Sequence, residues 1–311
     1  MHPAGPENQP CLFITGGTGF VGAAIIRILL ENRYSINATR RSNSSTERLG
    51  ELSSQIKWID VGDCYGSVLE DCLRSVDGIV HIATNYGRSK CDPTDLVRDN
   101  ILFPLSLYQA GRKSGLKFFV NTDTFYPAQR DLYSLTKYQF VQVCRSLAHT
   151  EGPHIVNLRL HHVYGPEDRP DKFIPSLIGS FLKDEPEFKL TVGTQLRDFI
   201  YIDDVARAYH SVIAALISSQ ESRVEALSKA DLDVGSGVSV SLRAMIELLF
   251  EIIEPSTILR WGAVPILENE IMEACADLRG ISSLGWKPLI DLKTGLNLTV
   301  EAYRSKLLLK G

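Results

Sequence analysis

The stretch FITGGTGFVG, Phe13–Gly22, constrains the fold more than any other part of the chain. It lies between an apolar run and the segment AAIIRILL, whose apolar residues recur at helical spacing. Glycine permits a tight turn and a close approach of the backbone to a pyrophosphate, which then rests on amides at the helix N-terminus. A strand before the loop and a helix after it therefore favour a dinucleotide-binding loop over a purely structural turn. The loop residues are Gly16, Gly17, Thr18, Gly19, Phe20, Val21 and Gly22.

Apolar, β-branched runs alternate with segments of helical period through the first half of the chain. The predicted strands are CLFIT, YSINAT, IKWID, GIVHIAT, LKFFVNT and HIVNLRL, and the clearest predicted helices are Val21–Glu31, Leu96–Gly111 and Tyr133–His149. Strands that are apolar throughout are buried on both faces, and their alternation with helices is typical of parallel sheets. The pattern predicts an α/β protein with a Rossmann fold, a doubly wound parallel sheet.

The regular alternation breaks after Arg159 into HHVYGPEDRPDKFIP, a segment punctuated by proline and glycine. The later parts of the chain are predicted to form a smaller mixed α/β C-terminal lobe that binds substrate, with Ser241 capping one of its helices. The predicted division is a disordered tail at 1–9, an NADP-binding Rossmann domain at 10–160 with a returning segment at about 195–236, and a substrate-binding lobe at 161–194 and 237–311.

Charge and hydropathy exclude two classes of partner. The formal net charge is −4, and Lys and Arg are spread along the chain, so there is no basic footprint for nucleic acid or an anionic membrane surface. The N-terminal MHPAGPENQP has neither the basic start nor the apolar core of a signal peptide, and no apolar run approaches the roughly 20 residues of a membrane span. We therefore expect a cytoplasmic protein that binds neither nucleic acid nor membrane.

Adjacent histidines at His161 and His162 are the only hint of a metal site in the sequence. Neighbours on a strand point to opposite faces, and no Cys, His or Asp partner stands at ligand spacing. We expect no metal.

The end of the second predicted strand, NATRRSN, bears on the choice of dinucleotide. NAD sites usually carry Asp or Glu at this point for the ribose 2′-hydroxyl, whereas here Arg40 and Arg41 stand where a 2′-phosphate would lie. Guanidinium groups bind phosphate through paired hydrogen bonds. This favours NADPH over NAD, although the two arginines could also be a solvated pair on a loop.

YSLTK places Tyr133 and Lys137 four residues apart, hence on one face of a helix. A nearby ammonium is expected to stabilise the phenolate and to lower the tyrosine pKa, which would suit general acid–base work. Thr122, at the end of the preceding strand, could hold a substrate carbonyl oxygen beside Tyr133. The alternatives are chance spacing for the pair and a simple turn for the Thr/Asp cluster.

Taken together, these motifs resemble the extended short-chain dehydrogenase/reductase family of nucleotide-sugar epimerases, dehydratases and ketoreductases. The likeness runs from TGGTGFVG through IDVGD, HIAT, NTD, YSLTK, HHVYGPED, RDFIYIDDVARA and DVGSG to LGWKP. Within the family, HIATNYG, NTDTFYP, KFIP, QLRDFI and NEIMEACADL look most like the CDP-abequose and CDP-paratose synthases, which reduce the 4-keto group of CDP-4-keto-6-deoxyglucose with NADPH.

The resemblance implies roles for particular residues. Thr122, Tyr133 and Lys137 would form the catalytic triad, with Lys137 also holding the nicotinamide ribose. The implied cofactor contacts beyond the glycine loop are Asp60, Val61 and Ala83, with Asn100 supporting the site. The implied substrate contacts are Asn85, Tyr86, Asp123, Thr124, His162, Lys172 and Arg197. Arg197 would bind a phosphate or else form a surface ion pair with Asp198 or Asp203.

The chain also departs from its relatives. The 4,6-dehydratases of the family follow the threonine with Asp and Glu, the acid and base of water elimination, whereas here Thr122 and Asp123 are followed by Thr124. Many members carry Asn in place of His162, and an arginine often found before the Glu-Ile-Met segment is Leu267 here. These departures speak against dehydration and leave the nucleotide open.

The predicted function is NADPH-dependent reduction of the C4 keto group of a CDP- or dTDP-linked 4-keto-6-deoxyhexose. Two alternatives remain at this stage: a 4-epimerase that retains NAD, and a non-catalytic, NADP-sensing regulator. The resemblance further implies a homodimer built on the helices Leu96–Gly111 and Tyr133–His149, acting on a nucleotide-diphosphate sugar.

Overall fold

The computed structural model describes residues 9–64, 66–88, 91–148, 152–218 and 221–308. Apart from Gln9, the tail predicted to be disordered lies outside the described residues. The strands are β1 (Cys11–Thr15), β2 (Ser35–Arg40), β3 (Ile56–Asp60), β4 (Gly78–His81), β5 (Phe118–Thr124), β6 (His154–Leu160), β7 (His162–Tyr164), β8 (Glu187–Lys189), β9 (Leu196–Tyr201), β10 (Asp231–Val234), β11 (Ser239–Ser241) and β12 (Ile258–Arg260). The helices are α1 (Phe20–Glu31), α2 (Gly66–Leu73), α3 (Pro93–Val97), α4 (Phe103–Lys113), α5 (Leu132–Ala148), α6 (Phe173–Leu182), α7 (Ile202–Ser218), α8 (Glu221–Ser228), α9 (Leu242–Ile253), α10 (Arg279–Ser282) and α11 (Leu292–Leu308).

The described residues form two compact units. The first contains the described parts of 9–160, 206–233 and 280–286, and the second those of 161–205, 234–279 and 287–308. The segment that returns to the first unit is shorter than the predicted 195–236. The physical reason is that β9 pairs with β7 and β11, strands of the second unit, instead of with the large sheet.

The first unit is built on a seven-stranded sheet with the strand order β10-β6-β5-β4-β1-β2-β3. The pairings of β1 with β2 and β4, of β2 with β3, of β4 with β5 and of β5 with β6 are all parallel. Helices pack on this sheet around a core that includes Phe13, Tyr108, Phe119 and Phe140. The predicted doubly wound Rossmann sheet is confirmed. Its strand order reverses beside β1, and ligands of such sheets bind at the carboxyl ends of the strands at this reversal.

The predicted helix Leu96–Gly111 is interrupted in the structure. A π-helical turn at Arg98–Leu102 joins α3 to α4, and Pro104 lies in the first turn of α4. Proline has no amide hydrogen to give to the carbonyl four residues earlier, so the regular α-helical ladder cannot continue through this point. Short π-helical turns of this kind are frequent at functional sites.

The second unit has two small sheets of its own. In the three-stranded sheet β9 lies between β11, which is antiparallel to it, and β7, which is parallel. The other sheet pairs β8 with β12. The predicted cap at Ser241 is confirmed, because its Oγ accepts from the amide of Ala244 at 3.0 Å. Asp198, fully buried in β9, accepts from the amides of Gly237 and Ala276 at 2.9 and 3.0 Å, which fixes two loops to this strand.

Candidate active site

Two glycines of the loop between β1 and α1 stand where the Cβ of a larger residue would clash with neighbouring backbone. Gly16 has φ of +74°, and a Cβ placed on it would lie 2.6 Å from the amide nitrogen of Ala83 at the end of β4. A Cβ on Gly22 would overlap the carbonyl oxygen of Gly16. The two glycines therefore let the loop fold tightly against the end of β4 and against its own helix, so that backbone, not side chains, forms the surface there.

The N-terminus of α1 fits an anionic group. Its N-cap is Gly19, with no capping side chain, and its first turn holds no acidic residue. The amides of the first turn of a helix carry partial positive charge and have no partner within the helix. The carbonyl of Thr18 accepts a hydrogen bond from Arg48 Nη1 at 3.3 Å, which helps to hold the loop in place. Phe20 and Val21 are the first residues of α1. This chemistry suits the pyrophosphate of a dinucleotide.

The predicted cofactor residues at the ends of β2 and β3 lie side by side. Arg40 pairs in register with Asp60, and its guanidinium carbon lies 5.5 Å from the centre of the Trp58 ring. Both Arg40 and Arg41 are exposed. Asp60 Oδ1 accepts from the amide of Gly62 at 2.8 Å, which orders the turn that begins at Val61. Two exposed guanidinium groups thus stand at this strand edge, and such groups bind phosphate well.

Asn100 organises the loop that follows β4. It is fully buried in the π-helical turn, and its Oδ1 accepts from the amide of Asn85 at 2.8 Å while its Nδ2 donates to the Asn85 carbonyl at 2.8 Å. Nδ2 also donates to Thr136 Oγ1 in α5 at 3.1 Å, and Oδ1 accepts from Thr84 Oγ1 at 3.2 Å. Asn100 thus links the loop after β4 to α5, and its supporting role at the site stays a prediction.

Thr122, Asp123 and Thr124 end β5. Thr122 is partly exposed, whereas Asp123 is 9% exposed and its carboxylate is occupied by protein donors. Oδ1 accepts from the amide of Thr124 at 2.7 Å, and Oδ2 accepts from Asn157 Nδ2 at 2.9 Å. Each oxygen of Asp123 thus accepts a hydrogen bond from the protein.

Tyr133 and Lys137 lie one turn apart near the start of α5, and Lys137 is 1% exposed. Burial, followed by electrostatic interactions with Tyr86 and Asp123, raises the pKa of Tyr133 well above its ordinary value, while a hydrogen bond with Thr84 acts in the opposite direction. Burial lowers the pKa of Lys137 to about 8, and the charge of Asp123 opposes this. The lowering of the Tyr133 pKa predicted from the sequence is wrong, because helical spacing reveals the cation but not the burial. Tyr133 is a phenol at neutral pH.

Two further tyrosines, Tyr86 and Tyr209, lie against the predicted catalytic residues. The ring of Tyr86, 43% exposed, lies against that of Tyr133 with 5.2 Å between centroids. The hydroxyl of Tyr209, in α7, lies 2.6 Å from Thr122 Oγ1. The first unit thus brings together the three predicted catalytic residues with Asp123 and Tyr86.

The remaining predicted substrate residues belong to the second unit. Arg197 in β9 is 3% exposed, pairs with Glu270 and donates to the carbonyl of Leu196 at 2.8 Å. This side chain is therefore not the exposed pair with Asp198 or Asp203 that the sequence left open. The His162 ring lies 5.6 Å from that of Phe199. Lys172 Nζ lies 3.2 Å from the buried Asp168 carboxylate.

Sequence reasoning missed Thr84, Asn157 and Tyr209, each of which contacts a predicted site residue. Thr84 had a usable signal, since it lies between Ala83 and Asn85, which were both named. Asn157 lies in the interior of β6, and Tyr209 is 87 residues from its partner Thr122. No local pattern in the sequence therefore pointed to either residue.

Neither a membrane-spanning helix nor a cluster that could hold a metal occurs among the described residues. No described helix is both long and apolar enough to cross a bilayer. Within the same residues, no three His, Cys, Asp or Glu side chains gather as metal ligands.

Comparison with known proteins places the chain in a family. The profile of the NAD dependent epimerase/dehydratase family matches residues 12–224. The CDP-abequose synthase of Salmonella typhimurium is 32% identical over 295 residues, which cover 92% of this chain and 95% of that protein. The dTDP-glucose 4,6-dehydratase of the same organism is 24% identical over 339 residues, covering 94% and 92%.

Solved structures agree on the fold. The UDP-glucose 4-epimerase of Thermotoga maritima, solved with UDP-glucose, superposes with a TM-score of 0.82 at 22% identity, covering 96% of this chain and 99% of that one. The UDP-glucuronic acid 4-epimerase of Bacillus cereus, solved with NAD, gives a TM-score of 0.80 at 25% identity, with coverage of 95% and 97%.

Proposed function

The chain belongs to the NAD dependent epimerase/dehydratase family, and within that family we propose that it is an NADPH-dependent 4-ketoreductase. Its substrate is a nucleotide-diphosphate 4-keto-6-deoxyhexose, linked to CDP or dTDP, and its product is a deoxysugar donor. The identity of 32% with a CDP-abequose synthase along almost the whole chain supports this substrate class.

The residues at the end of β5 are the main support for this proposal. Elimination of water requires a free acid and a base beside the catalytic threonine. Here the carboxylate of Asp123 accepts hydrogen bonds from Thr124 and Asn157, and Thr124 supplies only a hydroxyl. Asp123 is the one carboxylate that directly follows Thr122, and the hydroxyl of Thr124 stands where dehydration would use a second one. This favours transfer of a proton to a ketone over loss of water.

Tyr133 supports reduction because of its protonation state. Its raised pKa keeps the hydroxyl protonated at neutral pH, which is the form that a proton donor to a developing alkoxide requires. Thr122 would orient the keto oxygen, and Lys137, one helical turn from Tyr133, would hold the nicotinamide ribose.

The residues of the first unit fit NADPH, which would supply the hydride. The glycine loop and the uncapped N-terminus of α1 would hold the pyrophosphate, and Asp60, Val61 and Ala83 would lie along the rest of the cofactor. Arg40 and Arg41 would bind the 2′-phosphate, which is why NADPH is proposed instead of NADH. NAD in the Bacillus cereus relative supports a nicotinamide cofactor in general.

The proposal includes the substrate contacts and the setting of the enzyme. Asn85, Tyr86 and Thr124 are proposed to contact the nucleotide sugar, and the substrate roles that the resemblance implies for His162, Lys172 and Arg197 stay predictions. The enzyme acts in the cytoplasm as a homodimer. Exposed apolar residues on the π-helical turn and on α5 support the dimer; they are Leu102, Tyr138 and Val143.

Label transfer tests the reaction itself. NADPH deuterated at the transferred position is supplied with a CDP- or dTDP-4-keto-6-deoxyhexose, and the product is examined by mass spectrometry and NMR. The proposal expects deuterium at C4 and equal amounts of NADPH consumed and product formed. Tyr133→Phe should form labelled product at least about 100-fold more slowly. Tyr138→Phe, at a half-exposed tyrosine of the same helix, should behave as wild type. Sugar conversion without label or net NADPH consumption would contradict the proposal.

A further inference from the structure

Tyr209 is a buried residue of the first unit that no step above has used. It is fully buried in α7, and its hydroxyl oxygen lies 2.6 Å from Oγ1 of Thr122, which is partly exposed at the end of β5. This separation is on the short side for an O–H···O hydrogen bond. Tyr209 therefore lies behind the hydroxyl that is proposed to meet the substrate.

The direction of this hydrogen bond follows from its surroundings. Among the described residues, Thr122 is the hydrogen-bond partner of the Tyr209 hydroxyl. If Thr122 donated, the phenolic hydrogen of Tyr209 would be buried without an acceptor, which is costly. Of the two directions that the geometry allows, the one in which Tyr209 donates to Thr122 Oγ1 avoids this cost. Burial also raises the pKa of Tyr209, so its hydroxyl stays protonated and able to donate.

The hydroxyl of Thr122 can then donate its own hydrogen in a second hydrogen bond. An oxygen that accepts one hydrogen bond donates the next more strongly, and the accepted bond also fixes the rotamer of the side chain. A group that offers a hydrogen suits a ketone oxygen, which can only accept, and suits an alkoxide still better.

Core packing alone does not require a hydroxyl at this position. Phenylalanine would fill the same apolar volume without a polar group to bury. Tyr108 in α4 shows the contrast within the same unit, because it is also fully buried but its hydroxyl has no hydrogen-bond partner among the described residues.

We propose that Tyr209 is a positioning residue, which donates to Thr122 and so aims the Thr122 hydroxyl hydrogen at the keto oxygen of the substrate. The inference rests on the proposed function and adds a residue to its site. It assigns α7 a part in setting up the reaction, through a contact that the order of residues in the chain does not reveal.

A double-mutant cycle tests this role. Tyr209→Phe should lower kcat for keto reduction about tenfold, the scale of one hydrogen bond, with the Kd for NADPH unchanged. In a Thr122→Ala background the same change should lower kcat less than about twofold, because the hydroxyl it positions is gone. Tyr108→Phe is the matched control and should leave kcat as in wild type. A full rate in Tyr209→Phe, or an equal loss in both backgrounds, would overturn the proposal.

Unfolding gives a second test that does not depend on activity. In denaturant, the stability lost by Tyr209→Phe together with Thr122→Val should be less than the sum of the two single losses, because both remove the same hydrogen bond. Additive losses would overturn the pairing. Should Tyr209→Phe fail to fold, Thr122→Ser serves instead. Its kcat should stay within about threefold of wild type because Tyr209 still holds the hydroxyl, and a loss as large as that of Thr122→Ala would overturn the proposal.

The two proposals fail in different ways. Wild-type protein that reduces no 4-keto sugar contradicts the proposed function, while non-additive unfolding would still support the Tyr209–Thr122 pair. Wild-type reduction with no effect of Tyr209→Phe contradicts the role of Tyr209 alone.

Discussion

The ring of Tyr86 covers that of Tyr133, with 5.2 Å between their centroids. Burial is the largest cause of the raised Tyr133 pKa, and Tyr86 adds to it electrostatically. The loop after β4 thus helps to keep the proposed acid protonated. Because Asn100 holds this loop at both the amide and the carbonyl of Asn85, the protonation of Tyr133 depends on the π-helical turn as well as on α5.

Tyr86→Ala should move the alkaline fall of kcat to lower pH. Removal of the ring exposes Tyr133 to water and lowers its pKa, and a general acid is lost as the pH rises through its pKa. Tyr86→Phe keeps the cover and should retain most of the profile. The pKa of Lys137, about 8, is set by burial and by Asp123, and Tyr86 is not among its causes. Differences among the three pH–kcat profiles therefore report on Tyr133. Identical profiles for Tyr86→Ala and wild type would show that Tyr86 does not set the pKa.

Lys137→Met should stabilise the protein near neutral pH while abolishing turnover. The pKa of Lys137 is about 8, against an ordinary value of 10.5. Between these values the unfolded chain binds more protons than the folded one, so wild-type stability rises with pH. Below pH 8 the folded protein bears the full free-energy cost of burying the charged lysine, on the order of 3 kcal/mol. The methionine variant avoids this cost.

Urea unfolding at a series of pH values measures this effect. The stability advantage of Lys137→Met should be greatest below pH 8 and should shrink as the pH approaches 10.5. Lys113→Met is the control, because the Lys113 side chain is 69% exposed and should show no such dependence. A variant less stable than wild type at pH 7, or a difference that does not change with pH, would contradict the account of Lys137 as a buried cation.

Gly22→Ala should impair both folding and NADPH binding. The added methyl would overlap the Gly16 carbonyl oxygen and lie 2.9 Å from the Gly17 Cα, so the loop must move, at a cost of about 1–3 kcal/mol. Gly179→Ala is matched to it, since Gly179 also lies in a helix but has no atom within 4 Å of an added Cβ. Gly179→Ala should raise the free energy of unfolding by about 0.5–1 kcal/mol. Denaturant unfolding and NADPH fluorescence titration measure the two effects, and unchanged NADPH affinity in Gly22→Ala would contradict the assigned loop.

Replacement of both Arg40 and Arg41 by alanine should remove the preference for NADPH. We expect the KM for NADPH to rise more than tenfold, since each charge-assisted hydrogen bond contributes about 1.5–3 kcal/mol, while the KM for NADH stays as it was. Arg74→Ala, which removes an exposed arginine paired with Asp71, is the control. An equal rise for both cofactors would indicate a general contact with the dinucleotide instead of one with the 2′-phosphate.

The parts of the fold and site that depend on local pattern could be predicted. The strands CLFIT, IKWID and HIVNLRL begin and end as β1, β3 and β6, because continuous apolar runs bounded by turn residues leave little choice of boundary. The glycine loop and the spacing of Tyr133 and Lys137 are local as well.

Features that depend on tertiary packing could not be predicted. The direction of the Tyr133 pKa shift is set by burial, and a helical spacing shows only which residues are neighbours. Tyr209 reaches Thr122 across 87 residues, and Asn157 reaches Asp123 between adjacent strands. The π-helical turn arises from Pro104, yet the apolar period of the segment continues through it and favoured one unbroken helix.

The central claim is tested most directly by NADPH oxidation. Purified protein is mixed with NADPH and with CDP- or dTDP-4-keto-6-deoxyglucose made in situ by a dehydratase, and the loss of the nicotinamide absorbance is followed. The account predicts consumption of NADPH with one of the two nucleotides, at a rate at least about 100-fold higher than that of Tyr133→Phe. No consumption with either sugar, from protein that binds NADPH tightly, would contradict it.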